Sequence, residues 1–216
     1  MEIEKVNILG VGVSSVTFAE AVEAIKGFVG DGQRHYVVTV NPEFVVTAQE
    51  DTEFKKILNH ASLAVCDGIG VLWASKVLGS PLKQKITGTD LTGALCDAAS
   101  KKDYKIFLLG AEEGVADTAA EVLRTKFKGL EILGSLSGSP RVEDDAKTVR
   151  QINNLIGGRR IDVLFVAYGH PKQEKWLARN LPQLNVGVGI GVGGAFDYIS
   201  GRSRRAPRLI RSLGLE

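Results

Sequence analysis

Short apolar runs alternate with longer amphipathic stretches along this chain, and polar residues close most of the runs. Val37-Val38 leads into Thr39-Val40-Asn41-Pro42-Glu43, and Leu63-Ala64-Val65 leads into Cys66-Asp67-Gly68. Each run is too short and too apolar for a surface helix, so it reads as a strand buried on both faces. Between runs the spacing changes. Thr17-Phe18-Ala19-Glu20 has the capping-box pattern, and Ala21, Val22, Ile25, Phe28 and Val29 then share a helical face until Gly30-Asp31-Gly32.

The same reading predicts a strand or hairpin over 6–13 and strands over 35–40, 62–66, 105–109, 130–134, 161–167 and 186–192. Helices are expected from Pro42 under an Asn41 cap, over 52–59, 70–78, 90–100, 115–127 and 143–156, and from Pro171 through Arg179. Gly79-Ser80-Pro81 and Gly157-Gly158 are stops, and 83–88 is a loop or short strand. Strands separated by helices at this spacing imply crossover units and a mostly parallel sheet. No Pro/Ser-rich linker or internal repeat divides the chain, so an α/β fold of one compact unit is expected over 1–200, followed by a basic segment over 201–216. Ligands of such sheets bind beyond the carboxyl ends of the strands, where the polar residues collect here.

Composition narrows this picture only a little. The 216 residues are 44% hydrophobic and 24% charged, ordinary for a globular protein with a substantial core. No apolar stretch reaches the roughly 18 residues of a membrane span. Met1-Glu2-Ile3-Glu4-Lys5 lacks the start of a signal peptide, so the cytoplasm is the expected compartment and Cys66 and Cys96 are expected as reduced thiols. Net charge is +2, but Arg202, Arg204, Arg205, Arg208 and Arg211 crowd the end. The cluster suits phosphate groups or forms a solvated basic face. It has no interleaved aromatics, and no nucleic-acid-binding signature accompanies it.

Among chemical candidates, Asp67 stands out as an acid at the end of a buried strand, with Gly68 and Gly70 leaving room beside it. Its competing reading is a cap for the helix that follows. Glu43 serves either chemistry or the first turn of its helix, and Asp90 a ligand or the helix it opens. Thr39 and Asn41 share a face if the strand stays extended, or are a strand threonine beside a helix cap. The three histidines have no zinc-like spacing, so no metal site is expected. Cys66 fits a small buried hydrophobe better than a nucleophile. Gly189-Ile190-Gly191-Val192-Gly193-Gly194 matches a dinucleotide fingerprint formally, but near the chain end and without the acid about 20 residues on. Leu108-Leu109-Gly110-Ala111 before a helix suits a phosphate cradle, although Glu112 and Glu113 would repel one. In Gly169-His170-Pro171-Lys172-Gln173-Glu174-Lys175-Trp176, Gln173 can read a uracil edge or sugar hydroxyls, Lys172 can meet a phosphate, and Trp176 fits the core.

Taken in order, Thr39-Val40-Asn41-Pro42-Glu43, Asp67-Gly68, Thr87-Gly88-Thr89-Asp90-Leu91, Leu108-Leu109-Gly110, Gly169-His170-Pro171-Lys172-Gln173-Glu174 and Gly191-Val192-Gly193-Gly194-Ala195-Phe196-Asp197 with Arg204-Arg205-Ala206-Pro207 resemble the WecG/TagA/CpsF glycosyltransferases, glycosyltransferase family 26. The resemblance implies a Rossmann-like α/β fold and an inverting, metal-independent hexosyltransferase with no cofactor. It also implies a UDP-sugar donor and a polyprenyl-diphosphate-sugar acceptor at the cytoplasmic membrane surface, with a homo-oligomer left open. It makes Asp67 the general base, with Thr39 and Asn41 orienting sugar or acceptor. Gln173, the Gly110 loop and Gly193-Gly194 would hold the nucleotide. Gly68, Lys85, Asp90, Lys172, Glu174, Arg204 and Arg205 complete the substrate-binding set.

Two features depart from that pattern. Lys85 stands where many members carry Arg, keeping the charge but losing the bidentate fork. Members usually continue into a basic amphipathic tail, which Leu209, Ile210 and Leu213 would only begin. These departures favour, as an alternative, a catalytically weak UDP-sugar-binding protein acting with a partner. The glycine run alone motivates a third reading, a nicotinamide-dependent oxidoreductase.

Overall fold

The computed structural model describes residues 3–204. Its main sheet has six parallel strands: β3 (His35–Val40), β4 (Leu63–Cys66), β5 (Lys105–Gly110), β6 (Glu131–Leu136), β7 (Ile161–Ala167) and β8 (Val186–Gly191). They lie side by side as β4-β3-β8-β7-β5-β6, after an antiparallel pair, β1 (Lys5–Ile8) and β2 (Val11–Ser14).

Two-sided burial, read from the continuous apolar runs, holds in every central strand. Leu63 and Val65 of β4 enter one core layer, while Ala64 and Cys66 enter another on the opposite face. The first layer is closed by α1 (Phe18–Gly30), α5 (Gly88–Lys102), α6 (Val115–Lys126) and the short α9 (Ala195–Ile199). The other face is covered by α2 (Pro42–Glu50), α3 (Thr52–His60) and α4 (Ile69–Val77) over β3–β4, and by α7 (Asp145–Ile156) and α8 (Lys172–Asn180) over β5–β7. The result is a helix–sheet–helix sandwich in which a parallel strand has no face left for water.

Local signals placed several boundaries. The Thr17 side chain accepts from the Glu20 amide while Glu20 accepts from the Thr17 amide, so the expected capping box forms. Asn41 caps α2, accepting from the Phe44 amide, with Pro42 in the first turn. Two boundaries differ from expectation. Helix α5 starts at Gly88, not Asp90, because Thr87 is its cap and accepts from the Asp90 amide. Strand β6 runs to Leu136, two residues beyond Gly134, because its ladder with β5 continues to Leu109↔Leu136. Helix α6 begins at Val115, as expected, behind Gly114.

Candidate active site

Parallel pairing brings the first two strand ends into register. Thr39 pairs with Val65 and Val40 with Cys66. The ladder extends one step further through the Asp67 amide, which donates to the Val40 carbonyl at 2.8 Å. Asp67 therefore leaves the sheet beside Asn41. Strand β8 lies on the other side of β3, and the Thr39 hydroxyl donates to its Gly191 carbonyl at 3.1 Å. Beyond these three ends lies a pocket of about 370 Å³, large enough for a small ligand.

Thr39, Asn41, Asp67, Gly68, Lys85, Gly193 and Gly194, all expected at a site, line this pocket. Asp67 is half-buried, and its carboxylate accepts from the Gly88 amide at 3.2 Å, at the N-terminus of α5. The competing view of Asp67 as a cap for α4 does not hold, because Gly68 occupies the cap position and no side chain caps that helix. Gly88 also lets α5 approach the strands, since a Cβ there would come within 3.1 Å of the Val192 carbonyl oxygen. Gly70 lines the pocket too, and a Cβ there would lie 2.7 Å from the Pro42 ring, so a larger residue would not fit. Lys85 and Asp67 both act on Cys66. Burial first, and then the Asp67 charge, push its thiol up to about 12, with Lys85 opposing them. Such a thiol is not a nucleophile at neutral pH. Both cysteines are free and buried.

The remaining expected residues lie elsewhere. Asp90 is exposed and outside the lining, bonded to the Thr87 hydroxyl at 2.7 Å. Gly110 is buried against Ala167, whose backbone a Cβ would meet at 2.7 Å. Lys172 is exposed beyond the pocket. Gln173 and Glu174 are buried behind it: Gln173 Nε2 donates to Glu174 Oε1 at 2.7 Å, and its Oε1 accepts from the Gly193 amide at 3.0 Å. Arg204 is exposed and outside the lining, and Arg205 with the rest of the basic segment lies outside the described residues. Arg202, instead of facing the pocket, forms ion pairs with Glu112 and Asp197.

Other contacts tie the start of α8 to the neighbouring layer. His170 Nε2 meets the Thr47 hydroxyl at 2.9 Å, and its ring stacks on Phe44. Burial holds that imidazole below its ordinary range, with Glu43 opposing. Lys175 pairs with Asp51 and Glu53. Trp176 is buried, as expected of a core residue.

Sequence reasoning missed Ile69, Thr87, Thr89 and Tyr198 as lining residues. Tyr198 could have been found by helical spacing, since Phe196 points into the core and an aromatic two positions later must face outward. The pocket thus gathers a carboxylate, an ammonium group, hydroxyls and the turn after β8 around one space. That set can accept a proton and hold a sugar or a phosphate. Among the described residues no group of three or more His, Cys, Asp or Glu side chains is placed to hold a metal ion.

Comparison with known proteins identifies the family. Residues 6–216 match the model of the glycosyl transferase WecG/TagA/CpsF family. Curated relatives from Staphylococcus aureus strains NCTC 8325 / PS 47 and COL are named N-acetylglucosaminyldiphosphoundecaprenol N-acetyl-beta-D-mannosaminyltransferase. Each is 34% identical over 214 residues, covering 98% of this chain and 82% of the relative. This chain belongs to the WecG/TagA/CpsF family of glycosyltransferases.

Proposed function

We propose that this protein transfers an N-acetylmannosamine-type hexose from a UDP-sugar to a polyprenyl-diphosphate-linked N-acetylglucosamine, with inversion and without a metal ion. One observation carries the reading: the Asp67 carboxylate, anchored by the Gly88 amide, faces a pocket shared with Thr39, Asn41, Lys85 and Gly193-Gly194. The names of the relatives support the transferred sugar and the acceptor.

In this mechanism the acceptor hydroxyl gives its proton to Asp67 as its oxygen bonds to the anomeric carbon. The bond from that carbon to the donor diphosphate breaks on the opposite face, and its electron pair leaves with UDP. A positioned carboxylate contributes about 10²–10⁴-fold to such a step. Lys85 and the Gly194 amide stabilise charge on the departing diphosphate, where fixed donors act most strongly, while the Gly193 amide is held by Gln173. Thr39 and Asn41 orient the sugar.

The acceptor is held in a membrane by its polyprenyl chain, so the enzyme works at the cytoplasmic membrane surface. No helix among the described residues is long and apolar enough to cross a membrane. A panel of UDP-sugars with a short-chain polyprenyl-diphosphate-N-acetylglucosamine acceptor, with and without divalent metal, tests donor, acceptor and metal dependence together. Transfer from UDP-N-acetylmannosamine in chelator is expected. Transfer only with metal, or from no UDP-sugar, contradicts the proposal.

A further inference from the structure

Behind the pocket wall, the turn after β8 is gripped from two sides. On the β3 side, the Thr39 hydroxyl bonds the Gly191 carbonyl. On the α8 side, the Gln173 amide oxygen accepts from the Gly193 amide. A primary amide could present either end to that backbone, and only its oxygen can accept the hydrogen. The neighbouring Glu174 decides the orientation. Its Oε1 accepts from Gln173 Nε2 at 2.7 Å, which turns the amide oxygen toward Gly193. The packing leaves no slack, since a Cβ at Gly191 would lie 2.7 Å from Glu174 Oε1 and 2.8 Å from Gln173 Nε2.

We propose that Glu174 is a positioning residue for the pocket: acting through the Gln173 amide, it fixes the Gly193-Gly194 turn that lines the site with Asp67. This inference rests on the transfer reaction proposed above.

The surroundings of Glu174 suit a carboxylic acid better than a carboxylate. The side chain is fully buried, and its Oε2 has no hydrogen-bond partner. Of the cations on the elements packed against it, Lys175 pairs with Asp51 and Glu53 and Arg179 with Asp145, while Lys172, Lys56, Lys147 and Arg150 are exposed. Tyr36 of β3 bonds the Ile57 carbonyl, His35 meets Ser62 and Asp31, His170 meets Thr47, and Asp162 of β7 accepts from the Lys105 amide. On α3, His60 bonds the Lys56 carbonyl and Lys55 the Leu9 carbonyl. Burial pushes the Glu174 carboxyl up to about 8. Above that value an uncompensated charge is buried on the unpartnered Oε2, and the packing behind the turn loosens even though Gln173 still donates to Oε1.

Glu174→Gln and Glu174→Ala are compared with the wild type for donor KM, kcat and their pH dependence, with hydrogen exchange at the Gly193 amide as a readout independent of turnover. Glu174→Ala frees the Gln173 amide to rotate; donor KM rises about tenfold, as expected for one lost orienting hydrogen bond. Exchange at Gly193 rises with it. Glu174→Gln keeps an acceptor oxygen and no charge, so it restores the wild-type KM and exchange rate, and it abolishes the activity loss centred near pH 8. The proposal is overturned if Glu174→Gln is as impaired as Glu174→Ala, or if its alkaline limb matches that of the wild type. If Glu174→Ala does not fold, the Glu174→Gln pH profile decides alone. If the wild type transfers no sugar, the reaction reading fails. Gly193 exchange then still decides the positioning role: equal exchange in all three proteins overturns it.

Discussion

Replacing Gly110 by alanine adds one methyl group at a point where the backbone cannot make room. Gly110 ends β5 with φ +109°, and a Cβ there would lie 2.7 Å from the Ala167 carbonyl carbon and oxygen and 2.9 Å from its nitrogen. Those atoms belong to β7, held by the Gly110↔Ala167 pairing and by the Ala111 amide on the Ala167 carbonyl at 2.8 Å. Positive φ costs an alanine about 1–2 kcal/mol, and forcing extra volume into packed structure adds about 1–3 kcal/mol. The expected loss is about 3–4 kcal/mol, a large part of the stability of an ordinary domain. Gly157 provides the control: it has φ +58° but nothing within 4 Å of its missing Cβ, so only the conformational penalty applies. Urea denaturation of both variants isolates the clash, because the loss of unfolded-state freedom is common to both. Gly110→Ala should lose about 2 kcal/mol more than Gly157→Ala at unchanged m-value. Equal losses would refute the packing argument, and a selective rise in donor KM would return Gly110 to the role of a ligand cradle.

Three further outcomes follow from the same structure. Glu174 is raised from its ordinary 4.5 to about 8, so the unfolded chain ionises first and folding stability falls as pH rises between those values. The stability advantage of Glu174→Gln over the wild type should grow by about 2–3 kcal/mol between pH 5 and pH 7, measured by denaturation, and a pH-independent difference would contradict it. Thr39→Val removes the buried bond to Gly191 while keeping the shape; about 1–2 kcal/mol should be lost, and unchanged stability would mean the bond contributes nothing. Cys66→Ala should keep turnover within about threefold, because a thiol titrating near 12 is no nucleophile; loss of turnover in a folded variant would reinstate it.

What the sequence disclosed was mostly what neighbouring residues decide. The Thr17–Glu20 box and the Asn41 cap each link residues three positions apart, so local spacing reveals them. Two-sided burial was legible in runs such as Leu63-Ala64-Val65 because a parallel strand needs no polar face. Strand order was not legible, since β8 inserts between β3 and β7 through contacts made late in the chain. The same applies to Asp67, whose amide partner is 21 residues away. Gln173 and Glu174 misled differently: polar side chains signal solvent or ligand, yet here they satisfy each other and the Gly193 amide inside the protein. Their spacing to Trp176 and Leu177, three residues on in each case, was the available sign that they share the buried face. Lys172 and Lys175, on the outer faces of α8, behaved as charge patterns usually do.

The measurement closest to the centre of this account is turnover by Asp67→Asn. Asparagine preserves the size of the side chain and an oxygen able to accept from the Gly88 amide, so it removes basicity while leaving the hydrogen bond possible. With UDP-sugar donor and polyprenyl-diphosphate acceptor, kcat should fall about 10²–10⁴-fold while UDP binding by calorimetry stays at the wild-type level. Turnover near that of the wild type would show that the acceptor proton goes elsewhere, and Asp67 would lose its role as the base.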